Sequence, residues 1–119
     1  MKIDLHTHST HSDGKESVQQ VFQYAAEAGV DVLALTDHDT SAGWDEARAE
    51  GQRHGISFVP GIEVTTKHHG VSVHMLAYLP DPNYEPLIQR LKEVRESRET
   101  RIERYVENLQ PFYADLTMD

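Results

Sequence analysis

The sequence predicts an α/β fold in which short buried strands alternate with amphipathic helices around a parallel sheet. Three observations carry that expectation. Short apolar runs alternate with stretches whose apolar residues recur at helical spacing, the strand–helix alternation that builds parallel sheets. Clusters of histidine and acid stand where those runs end, which is where ligands collect in such folds. The chain has 119 residues, enough for one modest domain and too few for a complete eight-fold α/β barrel of ~250 residues.

The first strand-and-turn segment runs from Met1 to Gly14. Strand side chains alternate faces, so His6 and His8 project one way and Ile3, Leu5 and Thr7 the other. Two imidazoles ~7 Å apart at their backbones can converge on one cation. The turn His11-Ser12-Asp13-Gly14 returns a carboxylate to the same end of the strand. A histidine pair on one face is equally a solvated or hydrogen-bonded pair, and this segment alone leaves both readings open.

Ser17 with Gln20 makes a capping box, and Val18, Val21, Phe22 and Ala25 recur at helical spacing until Gly29 stops the helix. Val30 to Leu35 reads as a buried parallel strand ending at Thr36-Asp37-His38-Asp39. A second helix spans about Ser41 to His54, with Trp44 and Ala47 inside and Gly55 closing it. Ile56 to Thr65 is the third strand, with Glu63 near its end. Val71 to Leu79 alternates cleanly, with Val71, Val73, Met75, Ala77 and Leu79 on one face and Ser72, His74, Leu76 and Tyr78 on the other. His74 therefore falls mid-strand, away from the strand end where a ligand is expected.

The last element, residues 83–109, is a long helix with Pro86 tolerated in its first turn and an apolar stripe of Leu87, Leu91, Val94, Ile102, Tyr105 and Leu109. Arg98 falls within that stripe and Arg101 on its flank. One reading is a snorkelling stem or an ion pair with a nearby glutamate; the other is a guanidinium fork for phosphate. After Gln110-Pro111 no pattern is evident.

Twenty acidic against 11 basic residues, a net charge of −9, disfavours stable binding to duplex nucleic acid or anionic membrane. The absence of cysteine excludes disulfides and thiolate metal sites, leaving imidazole and carboxylate donors, which suit zinc, manganese or iron. No signal segment opens the sequence and no run approaches ~20 apolar residues, so a cytoplasmic protein is expected.

His6-x-His8, Ser12-Asp13-Gly14, Thr36-Asp37-His38-Asp39, Gly61-Ile62-Glu63 and His74-Met75-Leu76-Ala77-Tyr78, in that order, resemble the polymerase and histidinol phosphatase (PHP) family of metal-dependent phosphoesterases. The resemblance runs from Lys2 to Leu109. It implies the N-terminal part of a distorted (β/α)7 TIM-like barrel, with residues 1–119 as a portion of one PHP domain. Within the family it is similar to the small phosphoesterases that act on AMP, nucleoside 3′,5′-bisphosphates or short RNA 5′ ends. Carried over by position, His6 and His8 would hold one metal, Asp13 and His38 a second, and His74 would belong to a third, with Glu63 bridging two of the two or three divalent ions (Mn, Fe or Zn). Asp13 and His38 would act in catalysis and lie near the substrate, and Arg98 and Arg101 would grip its phosphate. Asp4 is expected to orient a ligand imidazole, Asp37 and Asp39 to cap loops or to support the ligands from behind rather than bind metal, and His11, His54, His68 and His69 to lie on the surface.

The family closes its site with a further histidine and a late Asp-x-His motif, and here no histidine follows His74. The remainder of the barrel is therefore expected from a C-terminal part outside this sequence, and these residues alone are expected to hold metal poorly and be inactive. The implied reaction is hydrolysis of a nucleotide phosphomonoester by metal-activated water. The alternatives are a PHP module of a DNA polymerase, a histidinol-phosphate phosphatase, and a metal-binding domain without catalysis.

Overall fold

The computed structural model describes residues 1–111. The chain divides into two units, Met1–Tyr84 and a second beginning at Glu85. The first contains β1 (Ile3–Thr7), α1 (Val18–Glu27), β2 (Val32–Leu35), α2 (Trp44–His54), β3 (Ser57–His68) and β4 (Val71–Tyr78); the second contains α3 (Glu85–Leu109).

The capping box forms as the sequence implies: Ser17 Oγ accepts the Gln20 N–H at 3.2 Å, and the Gln20 side chain accepts the Ser17 N–H at 2.9 Å. Such a cap stabilises a helix start by about 1 kcal/mol. The α1 stripe of Val18, Phe22 and Ala25 packs with Leu33 and Leu35 of β2, with Ala47 of α2 and with Ile56 to make the core. Helix α2 begins at Trp44, later than the expected Ser41, after a turn in which the Trp44 N–H bonds the Ser41 carbonyl. It ends at Gly55, whose φ of +67° is a left-handed cap that glycine adopts without steric penalty. Asp45 and Glu46 in its first turn and Arg53 and His54 in its last complement the helix dipole.

The sheet order is β1-β2-β3-β4. Strands β1, β2 and β3 are parallel, as expected. The fourth corrects the expectation of a sheet parallel throughout: β3 and β4 form an antiparallel hairpin running from Gly61↔Tyr78 to His68↔Val71. Strand β3 continues past the expected Thr65 to His68, and His69 and Gly70 turn the chain at φ +49° and +79°. Two residues of positive φ make a tight hairpin turn, whereas a parallel crossover needs about a dozen residues or more. The alternation along β4 is real, but its Val71, Val73 and Met75 face is exposed.

Helix α3 has 25 residues, with Pro86 in its first turn as the sequence suggests, and carries surface pairs such as Arg90–Glu93 and Lys92–Glu96. Among the described residues no helix is long and apolar enough to cross a membrane. The patternless stretch expected after Pro111 lies outside the described residues.

Candidate metal centre

The site is assembled from four segments, each held by a local device. In β1 the register with β2 slips between Asp4↔Leu33 and Thr7↔Leu35, a bulge at Leu5–His6. Bulges bend a strand and re-aim its side chains. The loop after β1 is gripped by Asp37, whose carboxylate accepts the Ser9 N–H at 2.6 Å, the Ser9 hydroxyl at 2.7 Å and the Ser12 hydroxyl at 2.8 Å. Asp37 is only 2% exposed and Ser9 wholly buried, so these bonds form away from water. The Ser9 carbonyl in turn accepts the Ser12 and Gly14 N–H groups, and a Cβ on Gly14 would lie 2.6 Å from the His8 carbonyl oxygen. Together these contacts set Asp13.

The turn after β2 is tied to β3. The Asp39 N–H donates to the Glu63 carbonyl at 3.1 Å, the Glu63 N–H to the Asp37 carbonyl at 3.2 Å, and His38 bridges to Glu63. Asp39, at φ +56°, accepts the Thr65 N–H at 2.8 Å and the Thr65 hydroxyl at 2.6 Å. Asp37 and Asp39 thus do the loop-capping work expected of them. The antiparallel hairpin explains how His74 joins the others: it pairs with Thr65, which shares a face with Glu63, and opposite residues of an antiparallel pair point the same way. Mid-strand placement is no obstacle once the strand runs back past the site.

Glu63 lies at the centre. Its Oε1 is 2.5 Å from His6 Nε2 and 2.9 Å from His8 Nε2, while its Oε2 is 3.5 Å from His38 Nδ1 and 3.4 Å from His74 Nδ1. Asp13 is divided likewise, with Oδ1 2.7 Å from His8 Nδ1 and Oδ2 3.2 Å from His38 Nε2. The structure therefore gathers His6, His8, Asp13, His38, Glu63 and His74 into three overlapping groups capable of holding a cation: His6, His8 and Glu63; His8, Asp13 and His38; and His38, Glu63 and His74.

The donor chemistry fits a divalent ion. The donors are imidazole nitrogens and carboxylate oxygens without sulfur, a set suited to zinc, manganese or iron. His38 Nδ1 is buried and makes no hydrogen bond, although it faces Glu63 Oε2; a cation would satisfy both atoms. Desolvation pushes the Glu63 carboxyl up, but its bond to His6 and the nearby His38 and His8 outweigh that and hold it below the ordinary value. Asp13 is similar: desolvation raises it, and His38 and His8 bring it below the ordinary range. Both carboxylates are anionic donors at neutral pH.

Asp4 and the remaining histidines make local contacts. Asp4 acts on the backbone of a cluster residue rather than on its ring: its Oδ1 accepts the main-chain N–H of His6 at 3.1 Å. His11 pairs with Glu46 at 3.6 Å and His54 with Glu50 at 3.4 Å, while His68 and His69 are exposed at the hairpin tip, all apart from the cluster. Arg98 and Arg101 lie one turn apart on α3, in the second unit. The contact missed in the sequence is Tyr78, whose hydroxyl donates to the Leu5 carbonyl at 2.7 Å. Its shared parity with His74 was the available signal.

The sequence matches the PHP domain family over residues 4–114. It is 41% identical over 104 residues to a 5′-3′ exoribonuclease of Haemophilus influenzae, covering 85% of this chain and 38% of that protein. It is 42% identical over 96 residues to a 3′,5′-nucleoside bisphosphate phosphatase of Chromobacterium violaceum, covering 81% of this chain and 34% of the relative. Among solved structures, a Bifidobacterium adolescentis protein described as a candidate metal-dependent phosphoesterase superimposes with a TM-score of 0.93 at 36% identity, over 100% of this chain and 41% of that one. The chain thus spans roughly two-fifths or less of the length of these proteins. A family match across nearly all of the sequence coincides with a four-stranded sheet that curls as part of a barrel and with histidines collected around one glutamate, and this chain belongs to the PHP domain family.

Proposed function

We propose that this chain supplies the metal centre of a phosphoesterase that hydrolyses a nucleotide phosphomonoester, with AMP, a nucleoside 3′,5′-bisphosphate or a short RNA 5′ end as substrate. The observation that carries the reading is Glu63, whose two oxygens are divided between one histidine pair and another. That is the arrangement of a bridging carboxylate. His6, His8 and Glu63 would hold one ion, Asp13 and His38 a second, and His74 would join Glu63 and His38 around a third. Divalent cations in such a site lower the pKa of water towards ~7 and neutralise charge on the phosphoryl oxygens.

The chain's own residues do the rest. Asp13, with its side chain 62% exposed, and His38 lie 3.2 Å apart at the open side of the cluster and are assigned to orient the attacking water and move its proton. Arg98 and Arg101 are assigned to the substrate phosphate, which guanidinium groups bind in a bidentate manner. A net charge of −9 does not oppose an anionic substrate, because the cations reverse the field locally. The remaining barrel strands and the late Asp-x-His ligands would come from chain beyond these residues, and these residues alone would be inactive.

The test is phosphate release by the whole protein from AMP, a 3′,5′-bisphosphate, a 5′-phosphorylated oligoribonucleotide and histidinol phosphate, with elemental analysis of the same sample. Asp13→Ala is expected to abolish turnover while the protein still folds; retained turnover counts against the assignment. Arg98→Ala is expected mainly to raise KM, whereas a change in stability alone would leave Arg98 a structural residue.

A further inference from the structure

Strands β1 and β4 are the outer strands of the four-stranded sheet, yet Tyr78 on β4 donates its hydroxyl to the Leu5 carbonyl on β1 at 2.7 Å. In a flat sheet three strand spacings would separate them by ~14 Å, so this bond exists only because the sheet curls. The other end of the same peptide group, the His6 N–H, donates to Asp4 Oδ1 at 3.1 Å. This is the peptide at which β1 slips register with β2. Both of its polar groups are thus satisfied by side chains where the ladder is interrupted.

The orientation of that peptide sets the direction in which His6 leaves the backbone. The His6 side chain is 55% exposed, so packing does not hold its ring. Tyr78 is seated opposite Gly61, where a Cβ would lie 3.3 Å from Tyr78 Cδ1 and 2.8 Å from Thr36 Cγ2. We propose that Asp4 and Tyr78 are positioning residues that clamp the Leu5–His6 peptide from its two ends and aim His6 at Glu63. The consequence for cation affinity rests on the metal reading above; the clamp itself does not.

The test uses the whole protein, with Tyr78→Phe, Asp4→Ala and Asp4→Asn, the last keeping an acceptor oxygen. Two quantities are read: affinity for Mn²⁺ by titration, and amide hydrogen exchange at His6 in the metal-free protein. Tyr78→Phe and Asp4→Ala are expected to weaken the binding of one ion about 10-fold, at the lower end for residues that orient a ligand. Asp4→Ala should also speed exchange at His6, and Asp4→Asn should restore most of both. Unchanged exchange at His6 in Asp4→Ala overturns the clamp, as does a lowered Tm with affinity and exchange both at wild-type values. A wild-type protein that binds no cation would overturn the metal reading, and exchange at His6 would still decide the clamp.

Discussion

Replacing Asp37 tests whether the candidate metal centre is built by buried hydrogen bonds outside it. Three donors converge on this carboxylate at 2.6, 2.7 and 2.8 Å, and two of them belong to the wholly buried Ser9. Hydrogen bonds to a charged acceptor contribute roughly 1.5–3 kcal/mol each, and a buried N–H left without a partner costs a further share. Ser12 is partly exposed and can turn to water, so Asp37→Ala is expected to destabilise by about 3–5 kcal/mol, a large part of a typical domain's stability. Asp37→Asn is expected to cost only about 1 kcal/mol, because the Ser9 N–H and the Ser12 hydroxyl both bond Oδ1, which asparagine keeps, and the Ser9 hydroxyl can rotate to accept from the new amide. Urea unfolding of the metal-free protein measures both, and Mn²⁺ titration shows whether the loop still presents Asp13. An Asp37→Ala variant within about 0.5 kcal/mol of wild type, or an asparagine variant as damaged as the alanine, would show that these bonds do not hold the loop.

Glu63→Gln keeps the shape of the central side chain but replaces one oxygen with an N–H₂ donor, so cation affinity is expected to fall by about 100-fold or more while far-UV circular dichroism is unchanged. Because the Glu63 and Asp13 carboxyls are held below their ordinary values of 4.5 and 3.8, their contribution to stability is complete above those values and is lost as pH falls through the depressed ones. Acid unfolding of the metal-free protein should therefore show a component below about pH 4.5 that Glu63→Gln with Asp13→Asn flattens. Gly14→Ala places a Cβ 2.6 Å from the His8 carbonyl oxygen, a contact that only backbone movement relieves; a loss of about 1–3 kcal/mol and weakened Mn²⁺ binding are expected, checked by denaturation and titration.

The elements and the candidate donors were legible in short stretches of sequence. The Ser17–Gln20 box, the Val18-Phe22-Ala25 stripe and the Gly55 stop are local signals, set by hydrogen bonds and helical period within a few residues, and all three stand in the structure. The parity of His6 and His8, the acid in the following turn and the polar cluster after β2 were equally legible, because a ligand motif is short-range chemistry. How these pieces meet was set by long-range packing. A period of two states which residues share a face but not whether a neighbouring strand runs parallel or back, and the antiparallel return of β4 is what sets His74 beside Glu63. The division of the Glu63 oxygens among four imidazoles, the bulge at Leu5–His6 and the bond from Tyr78 to Leu5 all depend on sheet curvature, which sums small twists across strands far apart in sequence.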